Sequence, residues 1–461
     1  MPKSFHHAAL LIAAAVLPLL QADDFHSPGL VLANTGNLTR GSSAARPVKK
    51  LEITVPPITP VHPRILLTPA DVAAIKQAIG AHAEPRYSAW LNLKSRADRL
   101  IRPPVDLPYT GRDSLMFYNV AKGAGNRASH LALAFLLNGN PAYAAKSKEI
   151  LLAWARAAPL PASRFAPEIR FVSSGMDTAR GMIGFIYAYD CLYNSLLPAE
   201  RTAVEAWLRA MLPGIRDGIA RWNTPYKGTK NDPRGWVESP DPKQSYFGGQ
   251  FYQNHLVSHT MGVLLIGYAL GDRELVQFAV DSPDNPRDLL ELFEGMILMA
   301  GDPVVGNVDT MNPPPQDGEI IDRYRHINPP GLGLGYSTLA LNQMMVMAEV
   351  LFANGLDFYQ RKGGHGETLE QPFNFYADFF RLGDASIKGG FYKGEAVAKG
   401  GPQVAVFEVA NQRYPGNPEI GALLHSVNRA AVDPNGSEET YLCFPTLIHG
   451  VGLQPQRVAG K

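Results

Sequence analysis

The pattern that most constrains this chain is a succession of apolar stretches of helical length joined by short turns rich in Gly, Asn and Pro. Such stretches bury their apolar faces by packing helix on helix, in hairpins. Leu133–Leu137 and Ala144–Ala157 are separated by Asn138-Gly139-Asn140-Pro141. Gly181–Leu192 and Pro198–Trp222 repeat the arrangement, with Pro198 placed for a first helical turn. Further helical stretches are expected near Gln253–Leu270, Arg287–Met299, Tyr336–Phe352 and Leu369–Phe380. At Thr68-Pro69-Ala70-Asp71 the order is a helix cap, a proline in the first turn and an acid at the third helical position. Strand-like alternation is scarce, and Val404–Val409 is the best short candidate. No strict repeat of solenoid length is present, so the hairpins are expected to close. The fold class predicted is all-α, an incomplete (α/α) toroid of helical hairpins with little β-structure and no β-rich domain after residue 385.

The chain has 461 residues, long enough for one large domain. Residues 1–22 read as a signal peptide: Lys3, then the apolar run Ala8–Leu20, then Ala22 before Asp23-Asp24. That predicts a periplasmic or secreted protein with no stable membrane insertion. Residues 23–60, ending in Pro56-Pro57-Ile58-Thr59-Pro60, read as an extended lead-in, and 61–461 as a single domain. A formal net charge of +1 gives no global field to draw nucleic acid, so an anionic partner must be held by a local basic cluster. Cys191 and Cys443 are the two cysteines, and their spacing leaves both pairing and two buried thiols open.

Three groups of residues carry chemistry. Gln253-Asn254-His255 stands at the start of an apolar helix, where adjacent side chains are about 100° apart and can border one concave site. An amide and an imidazole both hydrogen-bond a carboxylate; a helix cap followed by a packed histidine is the plainer alternative. His259 lies one turn on, but without the glutamate of zinc-binding helices or a third ligand it reads as a hydrogen-bonded histidine on the same face. The second group runs Asp317-Gly318-Glu319-Ile320-Ile321-Asp322-Arg323-Tyr324-Arg325-His326 and, after a Pro/Gly segment, Gly335-Tyr336-Ser337. Arg323 or Arg325 can clamp a carboxylate, and a tyrosine beside such cations can work as base and then acid. A solvated turn with a Glu319–Arg323 ion pair explains the same charges equally well. The third group is aromatic: Trp236, Tyr246, Phe247, Phe251 and Tyr252, suited to stacking on sugars and equally to core packing. No metal and no cofactor is expected.

On these residues the chain resembles the alginate lyase family, the α/α-toroid polysaccharide lyases. The resemblance spans roughly residues 60–385 and is carried by Asn254-His255, by Asp317-Gly318-Glu319 with Arg323, by Tyr336-Ser337 leading into Leu339-Ala340-Leu341 and Met347-Ala348-Glu349, and by Ile186-Tyr187-Ala188-Tyr189-Asp190. It implies cleavage of a β-1,4-linked polyuronide, alginate or glucuronan, by β-elimination. Asn254, His255 and Arg323 would neutralise the uronate carboxylate, and Tyr336 would serve as base and acid. His255 would take the base role when the proton lies on the opposite face. Arg325, Tyr324, Glu319, Tyr252, Trp236 and His259 are the further substrate-binding candidates. The arginine lies farther from Tyr336 than in the family pattern, which keeps Tyr324 a rival for Tyr336 and Arg325 a rival for Arg323.

Two other functions fit a toroid. One is a glycoside hydrolase acting on an acidic glycan, which in the inverting case needs two carboxylates about 6.5–9.5 Å apart; Glu319, Asp317 and Asp177 are its candidates. The other is a non-catalytic polyuronide-binding protein.

Overall fold

The computed structural model describes residues 51–161, 173–222, 226–227, 237–238, 252–285, 287–302, 314–325, 333–431 and 441–454. The signal-peptide reading and most of the lead-in, with Trp236, Tyr246, Phe247 and Phe251, fall outside them. Fourteen α-helices lie among the described residues, with two two-stranded antiparallel ribbons, the first pairing β1 (Tyr226–Lys227) with β2 (Val237–Glu238). The chain is an all-α toroid of helical hairpins. Its helices are α1 (Pro69–Gly80), α2 (Arg86–Leu100), α3 (Ser114–Asn138), α4 (Pro141–Ala157), α5 (Ser173–Leu192), α6 (Pro198–Trp222) and α7 (Asn254–Leu270). They continue as α8 (Arg273–Val280), α9 (Leu289–Met296), α10 (Gly333–Ala353), α11 (Glu370–Leu382), α12 (Val406–Arg413), α13 (Pro418–His425) and α14 (Pro445–His449).

Local chemistry sets the helix ends. Thr68 and Asp71 make the expected capping box, Thr68 N–H donating to Asp71 Oδ2 at 2.8 Å and Asp71 N–H to Thr68 Oγ1 at 3.2 Å. The α3–α4 turn closes as its residues dictate: Gly139 takes the left-handed conformation at φ 75°, and Asn140 caps Ala142 N–H at 3.0 Å. Two helices begin earlier than the stretches expected at Leu133–Leu137 and Tyr336–Phe352, α3 at Ser114 and α10 at Gly333. In the other direction, α9 stops at Met296 and passes into β3 (Ile297–Leu298), which pairs antiparallel with β4 (Glu319–Ile320). The strand expected at Val404–Val409 is a 3-10 turn (Pro402–Ala405) followed by α12. Positions 404–410 are all buried, so no solvent-facing side exists to give a strand its alternation.

Helices α3, α5 and α7 form the centre, and small residues set how closely they approach. A Cβ at Gly184 on α5 would fall 2.6 Å from the Gly125 carbonyl oxygen and 2.7 Å from the Asn126 nitrogen on α3. Between α5 and α7, a Cβ at Gly262 would meet that of Ala179 at 2.5 Å, and one at Gly175 would lie 2.7 Å from the His259 ring. The stretch before α1 and the C-terminal segment are tied to α5 as well. The Asp190 carboxylate accepts the backbone N–H groups of Arg64 (3.1 Å) and Ile65 (2.9 Å) and stands 2.6 Å from His62 Nδ1. One turn away, the Tyr187 hydroxyl donates to the Tyr441 carbonyl at 2.7 Å. Arg64 in turn caps the last carbonyls of α7, with Nε donating to Tyr268 O at 2.9 Å and Nη2 to Ala269 O at 3.1 Å. No helix among the described residues is long and apolar enough to cross a membrane. Cys191 and Cys443 are not joined in a disulfide and line one small apolar cavity with Leu66, Leu133 and Ile448.

Candidate active site

Asn254 and His255 open α7, with Gln253 extended as the residue before it. The start of α7 is buried, with Asn254 at 0% and His255 at 2% exposure. A helix start buried in this way has backbone N–H groups that need acceptors. Asp322 supplies one, its Oδ2 accepting the Asn254 backbone N–H at 2.8 Å. The other oxygen of Asp322 accepts from Asn254 Nδ2 at 3.3 Å. On the opposite side Arg180 of α5 donates from Nη2 to Asn254 Oδ1 at 2.8 Å and from Nε to Ser258 Oγ at 2.8 Å. The Ser258 oxygen is 2.8 Å from both the Asn254 carbonyl and Gln343 Oε1 of α10, and its one proton serves either. A buried polar network therefore joins α5, α7, α10 and the 3-10 turn Ile321–Arg325.

The turn after β4 carries the second group. Glu319 and Arg323 form the ion pair expected from their spacing, but it is buried rather than solvated. Arg323 Nη2 donates to Glu319 Oε2 at 3.0 Å, its Nε faces Oε1, and the two residues are 3% and 0% exposed. Burial pushes the Glu319 carboxyl above its ordinary range, against the pull of Arg323, the Gln316 amide and the Tyr392 hydroxyl. The guanidinium also lies over the Phe391 ring, 4.2 Å from its centroid. Tyr324 and Arg325 ride on the same turn, and their side chains, like His326, fall outside the described residues.

Tyr336 lies in the first turn of α10 and is half-buried. That turn is held by Glu395, whose two oxygens accept the Gly333 and Leu334 N–H groups at 2.9 and 2.8 Å. Its next residue, Ser337, donates to the Ile320 carbonyl at 3.3 Å, which ties α10 to β4. The two remaining aromatic and imidazole candidates sit in packing. Tyr252 is buried with its ring against Gly295 and the Arg287 guanidinium 5.1 Å from its centroid. His259 is fully buried, with Nδ1 2.6 Å from the His255 carbonyl and its other ring edge against Gly175. No group of three metal-ligating side chains lies among the described residues.

Arg180 and Asp322 were not singled out from the sequence for roles in this site. Arg180 had a signal, being a cation set directly before the apolar run Gly181–Leu192. Asp322 lay inside a stretch of charges in which nothing ranked it above its neighbours.

Residues 118–288 match the family model described as alginate lyase. Over that segment the chain is similar to the alginate lyase family. That match likens the segment to polysaccharide lyases. The matched segment contains Arg180, Asn254 and His255, whereas Asp322, Arg323 and Tyr336 lie beyond its end. Among solved structures, alginate lyase A1-III of Sphingomonas species A1 in complex with a tetrasaccharide is 15% identical at a TM-score of 0.50, covering 76% of this chain and 88% of that one. An alginate lyase from Bacteroides ovatus is 12% identical at a TM-score of 0.53, covering 83% of this chain and 99% of that one. At these identities the likeness shows that the chain shares their fold. No curated protein matches the chain.

Proposed function

We propose that this protein is an exported lyase that cleaves a β-1,4-linked polyuronide, alginate or glucuronan, by β-elimination at the start of α7. Such a reaction removes the proton at C5, beside the carboxylate, and forms the C4–C5 double bond as the bond from C4 to the glycosidic oxygen breaks. The leaving oxygen takes up a proton. The C5 proton is weakly acidic until the neighbouring carboxylate is neutralised, so donors aimed at that carboxylate carry much of the barrier reduction. Asn254 and His255 offer an amide and an imidazole there, with Arg323 next in the chain to the Asp322 that holds Asn254. Tyr336 is the proton carrier, abstracting at C5 and returning the proton to the departing oxygen.

The observation that carries this reading is the Asn254–His255 pair at a buried helix start, inside the segment matched to the alginate lyase family. Burial strengthens each donor, since a hydrogen bond out of water meets less competition. The carboxylates that a hydrolase would use are otherwise engaged. Asp177 accepts from Ser114 Oγ at 2.7 Å, Asp317 from the Ala300 N–H at 2.7 Å, and Glu319 is paired with Arg323.

The test is ultraviolet absorbance of the unsaturated uronate end as the purified protein acts on mannuronate-rich and guluronate-rich alginate and on glucuronan. One of these substrates should give product, and His255→Ala and Tyr336→Phe should each lower the rate by at least about 100-fold. New reducing ends without unsaturated product would sink elimination and turn attention to the carboxylates.

A further inference from the structure

We infer that Arg180 and Asp322 are positioning residues that fix the orientation of the Asn254 amide, so that its second Nδ2 proton is presented to the substrate carboxylate. The inference rests on the function proposed above and adds a statement about how its carboxylate donor is set.

An asparagine amide looks nearly the same after a half-turn about its last bond, and only its partners decide which end is oxygen. Here the partners are opposite in kind. Arg180 can only donate, and it reaches the amide oxygen at 2.8 Å. Asp322 as a carboxylate can only accept, and it faces the amide nitrogen at 3.3 Å while holding the backbone N–H of the same residue at 2.8 Å. Turning the amide over would set its N–H₂ against a guanidinium and its oxygen against a carboxylate. Both contacts would be repulsive in a site where Asn254 has no exposure to water. One orientation is therefore locked. With one Nδ2 proton directed at Asp322, the other is left as a donor of known placement. The cation on the oxygen side also draws electron density from the amide and makes that donor stronger.

The lock depends on helix spacing. Arg180 reaches across from α5 because Gly175 and Ala179 lie against His259 and Gly262 of α7. Ser258, one turn on from Asn254, takes the Arg180 Nε–H at 2.8 Å and so fixes the guanidinium as well.

A pair of exchanges separates positioning from simple packing. Asn254→Asp alone sets a second carboxylate against Asp322, and Asp322→Asn alone offers a second donor to Asn254 Nδ2. Each should lower both the melting temperature and kcat/KM. In the double variant Asn254→Asp with Asp322→Asn, every internal partner is restored. The new carboxylate accepts from Arg180 and from the new amide, whose oxygen accepts the backbone N–H. Stability should return. Activity should not, staying about 100-fold or more below wild type with the larger part of the loss in kcat, because the atom facing the substrate is now an oxygen without a proton. Recovery of activity together with stability would overturn the inference.

A second series covers the case in which the double variant does not fold. Arg180→Met keeps the bulk and removes the donor, and should cost about 100-fold in kcat/KM, with Arg180→Lys recovering part of that loss. A folded Arg180→Met variant within about threefold of wild type overturns the inference. Wild-type protein that yields no unsaturated product from any polyuronide would instead defeat the proposed function, before either series is begun.

Discussion

Single residues in this protein are decided by partners that lie far away in sequence. His449 illustrates the thermodynamic side. It is buried at the end of α14, with Nδ1 2.8 Å from Gln412 Oε1 and its Nε2 without a hydrogen-bond partner. Burial lowers its pKa from 6.5 to about 4, although Glu349 nearby opposes the shift. His130 is lowered to about 3 for the same reason, reinforced by Arg96. A histidine with a depressed folded pKa takes up its proton more readily in the unfolded chain. Stability is therefore kept above pH 6.5 and lost as pH falls from there toward the folded pKa. Each of these residues contributes a slope of up to about 1.4 kcal/mol per pH unit across that window. His449→Gln should flatten the dependence of the melting temperature on pH between about 6.5 and 4; an unchanged slope would show that the ring does not carry it. The same logic limits what could be read in advance. Asn254 and His255 stood out because a polar pair opens an apolar helix. Arg180 and Asp322 did not, because their meaning lies in each other's position across the amide, 142 residues apart in the chain.

At the scale of elements, helices were legible and their ends less so. Thr68 with Asp71 and Gly139 with Asn140 act through neighbours in sequence, so the start of α1 and the α3–α4 turn were visible. The start of α10 was not, because its cap is the Glu395 carboxylate, supplied from 62 residues away. The α12 segment misled for a related reason: with all of 404–410 buried, its apolar spacing reports no face. What remains testable here is the α3–α5 crossing. Gly184→Ala places a methyl group against the backbone of Gly125 and Asn126, which cannot retreat as a side chain can. It should destabilise by about 1–3 kcal/mol or more in urea unfolding. Gly123→Ala, on the exposed face of α3 with nothing within 4 Å, should be neutral or gain about 0.5–1 kcal/mol. Equal midpoints for the two variants would refute the close crossing.

At the scale of the molecule, the C-terminal segment closes onto α5 rather than trailing from it. Tyr441, Cys443 and Ile448 are buried, and Cys443 shares a cavity with Cys191 and Leu66 from the other end of the described chain. Burial holds the Cys191 thiol well above its ordinary pKa, with Asp190 and Cys443 adding to the effect. Neither thiol should react promptly with a bulky disulfide reagent at neutral pH in the folded protein, and both should react once it is unfolded. Immediate labelling of Cys443 in the folded protein would mean that the C-terminal segment is not seated as described. The two attachments on α5, Asp190 for the stretch from His62 to Ile65 and Tyr187 for the C-terminal segment, are three residues apart. A pull applied at residues 64 and 65 and at Tyr441 would therefore meet at a single turn of one helix. That turn would bear the tension first, and the amide at the start of α7, braced by Arg180 two turns farther along α5, would feel it only after the turn had given way.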